Sequence, residues 1–323
     1  MRRRDFLALA VASPAVLRAT RVQADDRYPS RMIRVIIPFA AGGTSSVIVR
    51  YITDKLSVAL GQPIVVENRV GANGTIGLAQ GLRADPDGYT FIQVSNTNTV
   101  AAIHMVRNMP FNPLTDMAGI GSIYQIPTVV LAARNFPANS FAEFVKIVRE
   151  NPDRYPYAYS HATGAAVGAS VALAAKLKMT VVPYSSGPQA INDVLGGHMP
   201  IMFTDVAAAL PLLQAEQLKV FAISSPQRSK LLPDLPTFTE LLPVPVEFVG
   251  WGGFVAPPKT PPAILNKLNV AINKILDDEG AGKFLNGLGA ELMTSSPAGF
   301  DAFIAKEAPL WAAALSAANI RPE

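Results

Sequence analysis

The sequence predicts an α/β protein made of two similar units. Three observations carry this. Short β-rich runs alternate with helical patterns, the alternation begins afresh near mid-chain, and the strand-to-helix loops of both units are rich in Gly, Ser and Thr. In the first unit, residues 33–38, 63–67 and 89–95 read as strands. After the first of them, apolar Ile48, Ile52, Leu56 and Leu60 recur at i+4 spacing, which predicts a helix that Gly61 ends. The second unit opens with "YPYAYSHATGAAVGASVALAAKLKMTVVPY", read as strand, small-residue loop, helix and strand. Pro188 and Gly196-Gly197 bracket a further helix, and "PIMFTD" and "LKVFAIS" follow as strands. Extended stretches at 123–132 and 246–257 are expected to cross between the units. Beyond the second crossing, 263–276 and 297–317 read as helices. The last has Ser296 as N-cap and Pro297 at N1, and Pro309 is expected to kink or divide it.

The chain's first residues, "MRRRDFLALAVASPAVLRATRVQADD", have a basic start, a short apolar stretch and small residues before a cleavage point near Ala24. Residues 1–24 are therefore expected to be an export signal. Arg3-Arg4-Asp5-Phe6-Leu7 fits the twin-arginine pattern R-R-x-F-L. No later segment has the length needed to span a bilayer as a helix. Residues 1–24 hold five of the 28 basic residues and one of the 24 acidic ones, so the remainder carries 23 of each. With that balance, a nucleic-acid partner has no electrostatic footprint. There is no cysteine, which excludes disulfides and thiolate metal sites. No two of His104, His161 and His198 stand at i, i+4 spacing, so no metal is expected.

"RVIIPFAAGGTSSVIVRYITDKLSVALG" (34–61) runs a strand through a Gly-Gly loop into a helix, an arrangement that offers backbone N–H groups to an anion. The loop lacks both the G-x-G-x-x-G spacing of a dinucleotide site and a G-K-[ST], so no nucleotide cofactor is expected. Glu67, where a ribose-binding acid would stand, reads more simply as a charged strand end. Ser160, His161 and Asp205 could be written as a hydrolytic triad. However, adjacent Ser and His point apart on a strand, and no G-x-S-x-G elbow exists. Reversible binding needs only what is visible: the first loop, "SNTNT" at 95–99 and "SHATGA" at 160–165, all without Arg or Lys. Two such loop sets facing each other form a cleft of uncharged donors suited to a carboxylate.

The stretch "YPSRMIRVIIPFAAGGTSSVIVRYITDKLSVALGQPIVVENRVGANGTIGLAQGLRADPDGYT" resembles the Bug (TctC-like) family of substrate-binding proteins of tripartite tricarboxylate transporters. The likeness continues in order through "MPFNPLTDMAGIGSI", "VPYSSGPQAINDVLGGHMPIMF", "RSKLLPDLPTFTE" and "GFVAPPKTPPAILNKLN". The resemblance implies a periplasmic-binding-protein-like fold: two α/β domains, 25–126 with 249–323 and 127–248, with a ligand cleft between them and two crossing segments. It implies a monomeric periplasmic protein, not an enzyme, that captures a small carboxylate ligand and delivers it to membrane permease subunits. A ligand sensor for a membrane kinase is the alternative, and an exported hydrolase a more distant one. Carried over, the family's ligand contacts fall on Phe39, Ala41, Gly42, Gly43 and Thr44, then on Ser95, Asn96, Thr97 and Asn98. Across the cleft they fall on Ser160, Thr163, Gly164 and Ala165, with Tyr184 and Asp205 nearby.

Two departures from the family pattern bear on the ligand. Ser45-Ser46 replaces the usual Thr-Asp, removing one negative charge at the helix start. Asp205 stands one place beyond the usual acid, which on a strand turns it to the other face and favours simple carboxylic acids over amino acids. Trp251, in "VGWGGFVAP", reads as core or hinge packing ahead of ligand stacking. Glycines 250, 252 and 253 around it would absorb backbone change on closure.

Overall fold

A computed structural model describes residues 28–184, 186–317 and 320. The expected signal segment and its cleavage point lie outside the described residues. In chain order the first part contains β1 (Ile33–Ile37), α1 (Thr44–Leu60), β2 (Ile64–Asn68), α2 (Thr75–Leu82), β3 (Thr90–Ser95), α3 (Ala102–Met105) and β4 (Ala118–Ala133). The middle part contains α4 (Phe141–Glu150), β5 (Tyr157–Tyr159), α5 (Ala162–Ala174), β6 (Val181–Pro183), α6 (Gly187–Leu195), β7 (Ile201–Asp205), α7 (Val206–Gln214), β8 (Leu218–Ile223) and α8 (Phe238–Leu241). The chain then returns with β9 (Val249–Ala256), α9 (Pro262–Leu276), α10 (Glu279–Gly287), β10 (Glu291–Leu292) and α11 (Pro297–Ala317).

The strands lie in the order β2-β1-β3-β9-β4-β7-β5-β6, with β8 and β10 also paired to β4. Around β1 the pairing is parallel, Val35 matching Val66 and Phe91. The same holds around β5, whose Tyr157 matches Val181 and Ile201. β9 and β4 run antiparallel between these two groups and join them. β4 is one strand of 16 residues serving both halves. Its residues from Ala118 to Pro127 pair with β9, and those from Thr128 to Ala132 pair with β7. Both expected crossings are therefore ladder-bound strands that meet near Ile126–Thr128.

Side-chain alternation decides what covers each face. Val35, Ile37 and Phe91 pack beneath Ile48, Val49, Ile52 and Leu56 of α1 and Leu268 and Ile272 of α9. Ile36, Ile92 and Val255 point the other way, toward Leu78 of α2 and Phe300, Ile304 and Trp311 of α11. In the second half, Val130, Ala132, Tyr157, Ile201 and Phe203 meet α4 and α5, while Val129, Leu131, Ala158 and Met202 meet α6 and α7. Sheets covered on both faces explain why the strands read as unbroken apolar runs.

Helix ends follow local chemistry. Gly61 adopts the left-handed conformation (φ 65°), and its amide closes α1 on the carbonyls of Ser57 and Val58. Ser296 Oγ accepts the Gly299 amide hydrogen at 3.0 Å at the start of α11. That helix runs through Pro309 undivided, its buried Phe300, Ile304, Trp311 and Leu315 holding both sides of the proline to the sheet. The expected small-residue loop at 160–165 is mostly helix. α5 starts at Ala162 because His161 caps it, its Nδ1 accepting the Gly164 amide hydrogen at 3.2 Å.

Candidate functional site

A cavity of about 120 Å³ opens where the two halves face each other. The first half contributes Phe39 beyond β1, Ser45 in the first turn of α1, and Ser95, Asn96 and Thr97 at the end of β3. The second contributes His161 and Thr163 at the start of α5 and Asp205 at the end of β7. Tyr124 and Ile126 of β4 and Gly250 and Trp251 of β9 complete the wall. Most of these groups lie at the carboxyl ends of parallel strands, where open α/β sheets place ligands.

Each half fixes its donors by its own bonds. Asn68 Nδ2 donates to the Phe39 carbonyl at 2.8 Å, holding the chain as it leaves β1. Gly43 caps α1 without a side-chain bond, and Gly42 turns the loop at φ 87°. The first amides of α1 therefore have no side-chain acceptor and lie at the positive end of a 17-residue helix. Ser45 Oγ and Tyr124 OH are 2.6 Å apart, and burial pushes the Tyr124 hydroxyl up to about 12. The Ser95 amide donates to Asn98 Oδ1 at 2.7 Å, and Thr99 Oγ1 donates to the Ser95 carbonyl at 2.6 Å, which together shape the loop after β3.

At the cavity, the Asn96 side chain joins the halves. Asn96 Nδ2 donates to Thr163 Oγ1 at 2.9 Å, and its Oδ1 accepts the Trp251 amide hydrogen at 3.3 Å. Trp251 is 1 % exposed and closes the cavity floor, meeting Phe300 and Phe303 edge-on at 5.7 and 5.4 Å between ring centroids. Gly252 has a packing reason beside it: a Cβ there would overlap the Tyr124 ring.

Asp205 lines the cavity, as the carried-over contacts expect, although it stands one place beyond the family's usual acid. It is both the last residue of β7 and the N-cap of α7, so its direction is set by the strand-to-helix turn. His161 Nε2 lies 3.5 Å from Asp205 Oδ1. Because His161 Nδ1 accepts from Gly164, the ring hydrogen belongs on Nε2, toward the carboxylate. Burial raises the Asp205 carboxyl above its usual range, and the neighbouring imidazole opposes that rise. Among the described residues, neither Lys nor Arg lines the cavity.

Of the residues expected at the site, Phe39, Ser95, Asn96, Thr97, Thr163 and Asp205 line the cavity together. Ala41, Gly42, Gly43 and Thr44 precede the lining Ser45, the first three being exposed. Asn98 is buried as the brace of the β3 loop. Ser160, Gly164, Ala165 and Tyr184 do not line it. Gly164 lies so close to the Phe203 carbonyl of β7 that a Cβ would stand 2.5 Å from the oxygen, and Ala165 is fully buried beside it. Tyr184 turns aside to donate its hydroxyl to Asp193 at 2.7 Å. Sequence reasoning did not place Ser45, Tyr124, Ile126, His161, Gly250 or Trp251 among the ligand contacts, reading Gly250 as a hinge glycine and Trp251 as packing. The available signal was Tyr124, an aromatic hydroxyl within a largely apolar crossing segment.

Two α/β halves, strand-end donors converging on an interdomain cavity, and two crossing strands define the periplasmic solute-binding class. The chain belongs to the tripartite tricarboxylate transporter receptor family (TctC), whose model matches residues 48–320. The structure of the periplasmic binding protein BugD is similar at 29 % identity and TM-score 0.76, covering 92 % of this chain and 100 % of that one. Rpa4515 of R. palustris, solved with adipate, is similar at 27 % identity and TM-score 0.79, covering 92 % and 100 %. MatC (Rpa3494) of Rhodopseudomonas palustris, solved with bound malate, is similar at 28 % identity and TM-score 0.74, covering 89 % and 100 %.

Proposed function

We propose that this chain is a periplasmic receptor that captures a small carboxylic acid between its halves and delivers it to the membrane subunits of a tripartite tricarboxylate transporter. The observation that carries the reading is the cavity itself, walled by Ser45, Ser95, Asn96, Thr97 and Thr163 and opened on one side by the uncapped start of α1. Hydroxyls, amides and helix amides hold a carboxylate without a guanidinium clamp, which suits capture followed by release. The related receptors that carry adipate and malate support the same chemical class. The volume suits a molecule of that scale, since an engineered cavity of about 150 Å³ accommodates benzene.

In this reading residues 25–126 and 249–323 form one lobe and 127–248 the other, turning about β4 and β9 where they pass Ile126–Thr128. The acid enters while the lobes are apart. Closure joins Asn96 to Thr163 and removes the ligand from water. Hydrolysis is disfavoured by the same geometry: His161 directs Nδ1 at Gly164 and Nε2 at Asp205, leaving no nitrogen for a serine.

A thermal-shift screen of residues 25–323 against carboxylic acids, amino acids and nucleotides tests the proposal. A ligand that prefers the native state raises the melting temperature by mass action. Stabilisation by one or a few small carboxylates is the expected outcome. Stabilisation by NAD or ATP in their place would return the first loop to nucleotide binding.

A further inference from the structure

We propose that the cleft takes up its anionic ligand together with one proton, held on Asp205. The inference rests on the carboxylate-receptor reading and concerns which charge state the site accepts. Among the described residues, Asp205 is the one carboxylate in the cavity wall, and neither Lys nor Arg stands there to offset it. The titratable groups that face it are His161, from the start of α5, and Tyr124, from β4. Ser45 of α1, Thr163 of α5, Thr128 opposite on β4, and Gly250 and Trp251 of β9 bring no charge.

The Nδ1 of His161 is already committed to the helix start. It holds the Gly164 amide hydrogen, and a second ring proton would remove that cap at the positive end of α5. His161 Nε2 stands 3.5 Å from Asp205 Oδ1 without completing a hydrogen bond to it. An ionised ligand carboxylate entering beside an ionised Asp205 would meet like charge at short range. One proton on Asp205 removes the repulsion and changes the carboxyl from acceptor to donor toward the incoming oxygen. Burial already favours that protonated form. A ligand ammonium would also neutralise Asp205. Such a group needs three acceptors, however, and among the described residues Asp205 is the one carboxylate on offer.

The test is calorimetric titration of the wild type and Asp205→Asn with malate and with adipate, from about pH 6 to 8.5, where both probe acids are ionised. Repeating each titration in two buffers of different ionisation enthalpy counts the protons taken up. Wild-type affinity should fall about tenfold per pH unit as pH rises, with uptake approaching one proton. Asp205→Asn, which carries a neutral donor permanently, should bind with a flat pH profile. Should the variant fail to fold, the wild-type proton count decides the matter alone. Binding without proton uptake overturns the inference and leaves the receptor reading intact, as does aspartate or glutamate binding more tightly than either probe. If neither probe binds, the inference fails as stated, and the wider carboxylate screen decides whether the receptor reading survives.

Discussion

Asn96 donates to Thr163 and accepts from the Trp251 amide, so a single substitution there removes two bonds that tie β3, α5 and β9 around the cavity. With each worth about 0.5–1.5 kcal/mol net, Asn96→Ala is expected to lower stability by about 1–3 kcal/mol in urea denaturation. An unchanged urea midpoint would show that the tie contributes nothing. Asp205 gives a pH signature. Its folded-state carboxyl is raised, so the folded chain binds a proton more readily than the unfolded one. Its stabilising contribution is full below the unfolded value, near 3.8, and is lost as pH rises through the higher folded value. Asp205→Asn should therefore gain on the wild type between pH 4 and pH 7, read as a widening gap between urea midpoints. A gap that narrows would show that His161 outweighs burial. At this scale the sequence was legible where a polar residue follows a strand, as at Ser95, Asn96 and Thr97. It was not legible at Tyr124 and Ile126, which stand mid-strand in β4, or at Gly250 near the start of β9, where nothing local tells cleft from core. At Asp205 the alternation rule does not apply, because it assumes that a strand continues, and here the strand turns into α7.

Among the elements, α1 and α5 show how a helix start becomes part of a site. α1 was readable from its i+4 apolar stripe and terminal glycine, since both features arise within one helix. The start of α5 was not, because nine of its residues are buried and no polar face marks where the loop stops. Its small residues permit close approach to β7, and that tertiary contact overrides the loop-like composition. β9 carries the clearest expectation at this scale. Gly252→Ala would drive a methyl group into the Tyr124 ring, which must then yield toward Ser45 and the cavity. Stability should fall by about 1–3 kcal/mol, and ligand affinity should fall with it. Loss of stability with unchanged affinity would show that the ring moves away from the cavity. At the far end of α1, Gly61→Ala places a side chain at φ 65° and should cost about 1 kcal/mol with no effect on binding.

For the whole molecule, the expectation is movement of one lobe against the other. X-ray scattering should show a smaller radius of gyration once a stabilising carboxylate saturates the protein, and Trp251 emission should change in step. An invariant scattering curve at saturation would mean that the ligand enters a cleft that is already closed. The two-unit plan was visible in the sequence because each unit repeats strand, loop and helix. The position of the crossings was visible too, but their pairing was not. That β4 would serve both halves depends on partners far along the chain, which no local window contains.

The return of β9 also constrains how the protein is assembled. Ile92 of β3 pairs with Val255, about half the chain length away, so the middle part is made before β3 acquires its second neighbour. During synthesis β3 remains an open edge of buried-type residues, Phe91, Ile92 and Val94 among them. Such non-local pairing gives a high contact order and slow folding. A chain stopped after residue 248 would keep that edge bare and is expected to aggregate. Residues 249–317 therefore act as a closing seam beside β3, and the sheet there cannot be completed until they have been made.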